Sequence, residues 1–252
     1  MHKLSNRDKV ILAGLFLSKF DVAGLIALGF DGFTEAFNAI ALNLKASPAS
    51  LKNYRDEFDP FFPNPRKGWH KRPIRQYCKK LMDEYNHLGF EDFVAMIKTE
   101  VSDLGEIELI EEQLDISESN TFAKRLMTGQ AAEHYFENIF PALPDFQHCS
   151  LSNTTRIGCG FDYKMTRPGE PFLAVEVKGM ATHSGTIQLT SKEHKAAEIL
   201  ENRFFLFIVR NFIETPFHTV HQNPLRSNLK FERRESISVQ VNWTANIEGG
   251  LQ

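Results

Sequence analysis

The chain has 252 residues, 42% of them hydrophobic and 24% charged, proportions that exclude a disordered or collagen-like protein. At a typical ~150 residues per domain, this length points to two domains. The net charge of −3 hides an asymmetry: residues 66–80 hold seven basic side chains and no acidic one, leaving 22 basic against 32 acidic residues elsewhere. Such a segment suggests local contact with a polyanion, the competing reading being a solvated helix face. Cys78, Cys149 and Cys159 are scattered, so neither a disulfide framework nor a zinc site follows from them.

The longest apolar runs, residues 10–17 and 22–30, fall well short of the ~18 residues of a membrane span. Asp8 interrupts the basic residues before the first run, and no small-residue cleavage site follows it; a mature cytoplasmic protein is expected, with no membrane partner. Apolar spacing predicts helices over 8–18, 31–42, 47–58, 74–88 and 90–101. Pro60, Pro63, Pro65 and Pro73 break the pattern between the third and fourth. An acidic stretch then separates a helical domain, 1–102, from a mixed one, 118–252, with 103–117 as linker. The second domain reads as helices over 119–139 and 191–201 and strands over 161–166, 172–178, 186–189, 204–209 and 237–243. The fold class is therefore mixed α and β preceded by an all-α domain.

Within the first domain, Ser47-Pro48 supplies an N-cap and a first-position proline after a short turn. The helix it starts is expected to present Ser50, Lys52, Asn53 and Arg55 outside Leu51, Tyr54 and Phe58. That is helix-turn-helix logic, in which short polar groups meet base edges, although any helical hairpin with a Ser-Pro start would score. The basic segment follows, with Arg66, Lys67, Lys71 and Arg72 suited to phosphates and Trp69 to stacking on a base or packing on the domain.

In the second domain, Asp162 and Glu176 lie on consecutive predicted strands joined by the turn residues Arg167-Pro168-Gly169-Glu170. Glu176 and Lys178 alternate with Val175 and Val177, so carboxylate and ammonium share one strand face. A strand beginning Phe-Leu-Ala-Val is expected to be buried, and two charges at its end are costly unless they serve a site. Two carboxylates suit Mg²⁺, and a lysine one pleat away suits a scissile phosphate or its attacking water. A structural Glu–Lys pair with Asp162 as a turn residue is the competing reading.

Taken in order, these residues resemble the PD-(D/E)XK nuclease superfamily, here as Phe161-Asp162 and Glu176-Val177-Lys178, with Phe161 where the family name has proline. Within it the chain looks most like the nuclease domain of the NO VEIN C-terminal type. The resemblance runs through Gly129, Glu133, Asp162, Val175 to Gly179, Ile187 to Glu193 and Phe204 to Asn211. It implies a restriction-endonuclease-like core, a mixed sheet flanked by helices, and a third carboxylate from the preceding helix. Glu133 falls in the middle of the stripe Phe122, Leu126, Gly129, Phe136 and Phe140, with Glu137 about 40° to one side. Asp162, Glu176 and Glu133 are thus the expected metal ligands and, with Lys178, the catalytic set. Glu193 matches the resemblance too, but Thr190-Ser191-Lys192-Glu193 is a capping box. Gln188, on the predicted third strand, could point into the site, and Lys164, two residues from Asp162, could contact phosphate; edge packing and plain surface charge are the competing readings.

Together these readings predict a Mg²⁺-dependent endonuclease of restriction or phage-defence kind, with Mn²⁺ able to substitute, duplex DNA as partner, and a homodimer wherever the target is palindromic. The alternatives are a structured-RNA nuclease and a non-catalytic DNA-binding regulator with a nuclease-like fold.

Overall fold

A computed structural model describes residues 4–102 and 119–235. The expected linker, 103–117, and the expected strand over 237–243 lie outside the described residues. The first helix, α1 (Asn6–Lys19), starts at Ser5, whose hydroxyl and Asp8 close a capping box. It is buried from Val10 to Ser18 without a break, so it is the axis of a helical core and not an amphipathic surface helix. Around it pack α2 (Asp21–Ala27), α3 (Phe33–Asn43), α4 (Pro48–Phe58), α5 (Gln76–Tyr85) and α6 (Phe90–Ser102). The sequence showed no separate helix at α2, where Val22 and Ile26 stand exposed and blur the apolar spacing.

Residues 119–235 form a mixed five-stranded sheet in the order β1-β2-β3-β4-β5. Its strands are β1 (Ser150–Asn153), β2 (Tyr163–Thr166), β3 (Leu173–Gly179), β4 (Phe204–Arg210) and β5 (Phe217–Gln222). Every neighbouring pair is antiparallel except β3 and β4. That parallel pair needs a crossover, supplied by the helix α8 (Ser191–Leu200). The long helix α7 (Ser119–Ile139) covers the opposite face, where Ala131, Ala132 and Phe136 meet Val175, Val177, Phe205, Phe207 and Val209. On the α8 face, Ala196 and Ala197 meet Ala174 and Phe204. The observed class is α+β: helices first, then a mixed sheet with flanking helices.

The sheet differs from the predicted one in three places. Residues 186–189 carry no regular structure, because the crossover places them in the loop leading to α8. The strands β1 and β5 were not foreseen: Ser-Leu-Ser-Asn is a short, mostly exposed edge, and β5 interleaves two histidines with its apolar residues.

α7 also faces the helical core, to which it contributes Met127. Buried Asn38 on α3 donates to the carbonyls of Phe212 and Glu214 at 2.6 and 2.8 Å, just beyond β4. Among the described residues no helix is long and apolar enough to cross a membrane.

Candidate active site

Asp162 sits just before β2, clamped at the edge of β3. Its backbone N–H donates to the Val175 carbonyl at 3.0 Å, and its own carbonyl accepts from the Thr154 N–H at 2.7 Å. Its carboxylate accepts from the Val177 N–H at 2.9 Å. Gly160, at φ +91°, makes the preceding loop possible. A Cβ there would lie 2.6 Å from the Lys192 carbonyl, so only glycine lets this loop press against the first turn of α8.

Glu176 and Lys178 occupy alternate positions of β3, as the strand period requires. Glu176 is 3% exposed, and its carboxylate meets the Lys178 ammonium at 2.6 Å. The same ammonium reaches Glu193 at 2.9 Å. Glu193 closes the capping box of α8, accepting from the Thr190 N–H at 2.9 Å, so one carboxylate caps the helix and anchors the lysine. Sequence reading found the cap and missed the anchor. The signal was present: a capping glutamate on the first turn of the crossover helix lies over the strand that precedes it.

One ammonium thus stands between two carboxylates, and only one of them is fully served. Burial works against the Lys178 charge, but Glu176 and Glu193 hold it above the ordinary lysine range. Burial also opposes the Glu193 charge, yet Lys178 and the Thr190 N–H keep it below the usual carboxylate range. Glu176 is the group that yields: burial first, then Asp162, push its carboxyl up to about 9 despite Lys178. Asp162 is also raised by burial, against the pull of the Val177 N–H and Lys178.

Glu133 on α7 faces the same cluster. Burial, then the charges of Asp162 and Glu137, lift it to about 7, with Lys178 pulling the other way. It forms no hydrogen bond or ion pair among the described residues. Glu137, one turn on, is instead held by Lys45 and by the Tyr163 hydroxyl, each at 3.1 Å. The close approach of helix and sheet falls at Gly179: a Cβ there would lie 2.7 Å from the Thr128 carbonyl, whereas one on Gly129, in the apolar stripe of α7, would meet nothing within 4 Å.

These carboxylates supply hard oxygen donors and too little positive charge, which fits a divalent cation. As oriented, however, no three His, Cys, Asp or Glu side chains among the described residues converge as a ready metal site. Asp162 and Glu176 are turned to Val177 and Lys178. The two residues expected to support the site stand apart: Gln188 is exposed on the crossover loop, and Lys164 lies over the Phe172 ring at 5.1 Å.

The expected nucleic-acid residues are placed unevenly. Ser50 helps cap α4, with its hydroxyl 2.8 Å from that of Ser47. Asn53 is exposed; Lys52 is exposed but paired with Asp56 at 2.7 Å. Arg55 does not face outward as expected: it is 7% exposed, bound to Asp56 and laid over Phe33 and Phe37, because α4 turns this face into the helical core. Arg66 is likewise tied to Asp59 at 2.9 Å and to Asp21. Trp69 carries the Arg72 guanidinium at 4.3 Å, and Arg72 reaches Glu57 at 3.3 Å. Lys67 and Lys71 are exposed and form no ion pair among the described residues. Trp69, Lys71 and Arg72 help line a surface cleft of about 520 Å³ together with Gly68, His70 and Arg75.

A family model described as Protein NO VEIN, C-terminal, matches residues 132–222, a little over a third of the chain. The match begins beside Glu133 on α7, ends with β5, and contains Asp162, Glu176, Lys178 and Glu193. No curated protein and no solved structure matches the chain.

Proposed function

We propose that this protein is a metal-dependent nuclease of the PD-(D/E)XK kind, cutting duplex DNA in restriction or phage defence in the cytoplasm. The observation that carries the reading is the surplus of buried carboxylate around Lys178: Asp162, Glu176, Glu193 and Glu133 share one ammonium. The similarity over residues 132–222 supports it, since the matched span holds all four. Asp162, Glu176 and Glu133 are the residues that would hold Mg²⁺, or Mn²⁺ in its place, after a rotation of side chains already within one cluster. When bound, the cation would acidify a water and neutralise charge on the scissile phosphate. Lys178, fixed between Glu176 and Glu193, would donate to a phosphate oxygen or orient the attacking water. The Val177 N–H would hold one oxygen of Asp162 at the edge of β3 and leave the other for the cation.

Structured RNA is the second reading, favoured by one observation. The helix-turn-helix face that argued for duplex DNA has lost Arg55 to the core and has Lys52 paired with Asp56. Incubation with duplex DNA, single strands and tRNA, in Mg²⁺ or excess EDTA, tests both. Mg²⁺-dependent cleavage of duplex is expected; cleavage of tRNA alone selects the second reading, and cleavage in EDTA or of no substrate overturns the nuclease.

A further inference from the structure

The strand face that bears Glu176 and Lys178 continues across β4 and β5. Glu176 is followed in register by Leu206 and then His221, and Lys178 by Ile208 and then Thr219; Arg210 pairs with Phe217 one row further. Paired residues point to the same side of a sheet. Arg210 donates to the Thr219 hydroxyl at 2.7 Å and lies 5.9 Å from the centre of the Phe217 ring. It makes no ion pair among the described residues, its Nε is buried without a hydrogen-bond partner, and so is the Nε2 of neighbouring His221. Burial and the charge of Arg210 hold His221 below the usual imidazole range, and no carboxylate offsets them.

This isolation is unusual in a protein whose buried Arg55 and half-buried Arg66 and Arg75 all sit on carboxylates. A guanidinium with spare donors, a hydroxyl and an imidazole on one face make an anion-binding set. Arg210 lies on β4, one strand from β3 and two residues beyond Ile208, the partner of Lys178, while Thr219 and His221 lie on β5, about 10 Å from β3 at about 4.8 Å between strands, so the set flanks the Lys178 position on one side. We infer that Arg210, Thr219 and His221 form an anion subsite that grips a nucleic-acid backbone phosphate neighbouring the one at Lys178. The inference rests on the nuclease reading for its substrate. The subsite positions the strand and reads no sequence.

Binding of a short fluorescein-labelled duplex of mixed sequence, followed by anisotropy in a Lys178→Ala background so that the probe survives, tests the subsite. Arg210→Gln should weaken binding about 10-fold, the size of one charge-assisted hydrogen bond. It should also lower the log–log salt slope by about 0.9. Arg210→Lys should recover most of that slope, and in the otherwise wild-type protein Arg210→Gln should raise KM more than it lowers kcat. Unchanged affinity and slope in a folded Arg210→Gln protein overturn the subsite. Should that variant lose its fold, His221→Phe, which removes the imidazole N–H, carries the test, and an unchanged duplex affinity there does the same. Inorganic phosphate is the second arm: if it stabilises the wild type but not Arg210→Gln while duplex affinity stays equal, the occupant is a free anion and the inference falls. The nuclease reading fails separately, if Lys178→Ala cuts like wild type.

Discussion

The charge cluster around Asp59 and the one around Lys178 are both largely removed from water, yet they are composed in opposite ways. In the helical half, Asp59 is 2% exposed and meets Arg66 and Arg55, with the Ser18 hydroxyl donating at 2.8 Å. Beside it Glu57 takes Arg75 and Arg72, which more than offset its burial and hold it below the usual carboxylate range. Asp59 and Glu57 thus each have two guanidinium partners. Around Lys178, four carboxylates from α7, α8, β3 and the residue before β2 share one ammonium, and Glu133 and Glu176 are driven upward. Balanced charge fastens a core, whereas unbalanced buried charge persists where something else supplies the missing counter-charge. On the nuclease reading proposed above, the difference separates residues that hold the helices together from residues that would bind a cation, even though Arg55, Arg66 and Lys178 alike read as site residues in the sequence.

The comparison breaks most easily at its balanced end. Asp59→Ala leaves two guanidinium groups facing an empty acceptor and should destabilise the protein by about 3 kcal/mol, read by denaturant unfolding. A change within experimental error would mean the cluster is decorative. At the other end, Lys178→Ala should lower cleavage by about 10²-fold or more while circular dichroism stays as in wild type.

Glu176→Gln sharpens the contrast, because function and stability should move apart. A carboxyl raised from its ordinary 4.5 to about 9 on folding costs stability once pH passes 4.5, and the cost grows until pH reaches about 9. In EDTA, the variant should therefore match wild type near pH 4 and melt increasingly above it from pH 5 to 9, while its Mg²⁺-dependent cleavage is lost. Wild type melting higher at pH 8 would show that the ion pair with Lys178 outweighs burial.

Smaller effects separate Glu133 from Glu137. Glu133→Gln should weaken cleavage and shift the Mg²⁺ dependence to higher concentration; Glu137→Gln, which loses only its contacts to Lys45 and Tyr163, should stay close to wild type in activity. A reversal would move the helix carboxylate of the site to Glu137. The smallest change belongs to the exposed basic residues: replacing Lys67 and Lys71 together by alanine should reduce the duplex salt slope by about 1.8 if both touch phosphate, and leave cleavage of saturating substrate unchanged.

What could be read in advance follows from local chemistry. Ser47-Pro48 announced α4 and Thr190 to Glu193 announced α8, because a helix cap is settled within four residues. The period of two in Val175 to Lys178 put Glu176 and Lys178 on one face of β3 for the same reason. Where those faces pointed was not local. Arg55 was read as outward because its neighbours are polar, but the packing of α1 and α3 against α4 turned it inward onto Phe33 and Phe37. The strand predicted over 186–189 dissolved into a loop because the parallel pairing of β3 and β4 requires a crossover there. Glu193 became the anchor of Lys178 only once α8 lay across the sheet, 15 residues along the chain from its partner. The sequence by itself determined most of the helices, the caps of α4 and α8, and the placing of Glu176 and Lys178 on one strand face, since these depend on neighbours along the chain. Tertiary structure alone decided which charges are paired, because pairing depends on burial and on residues such as Asp21 and Asp59 with Arg66, or Glu193 with Lys178, that meet only when the elements close on one another.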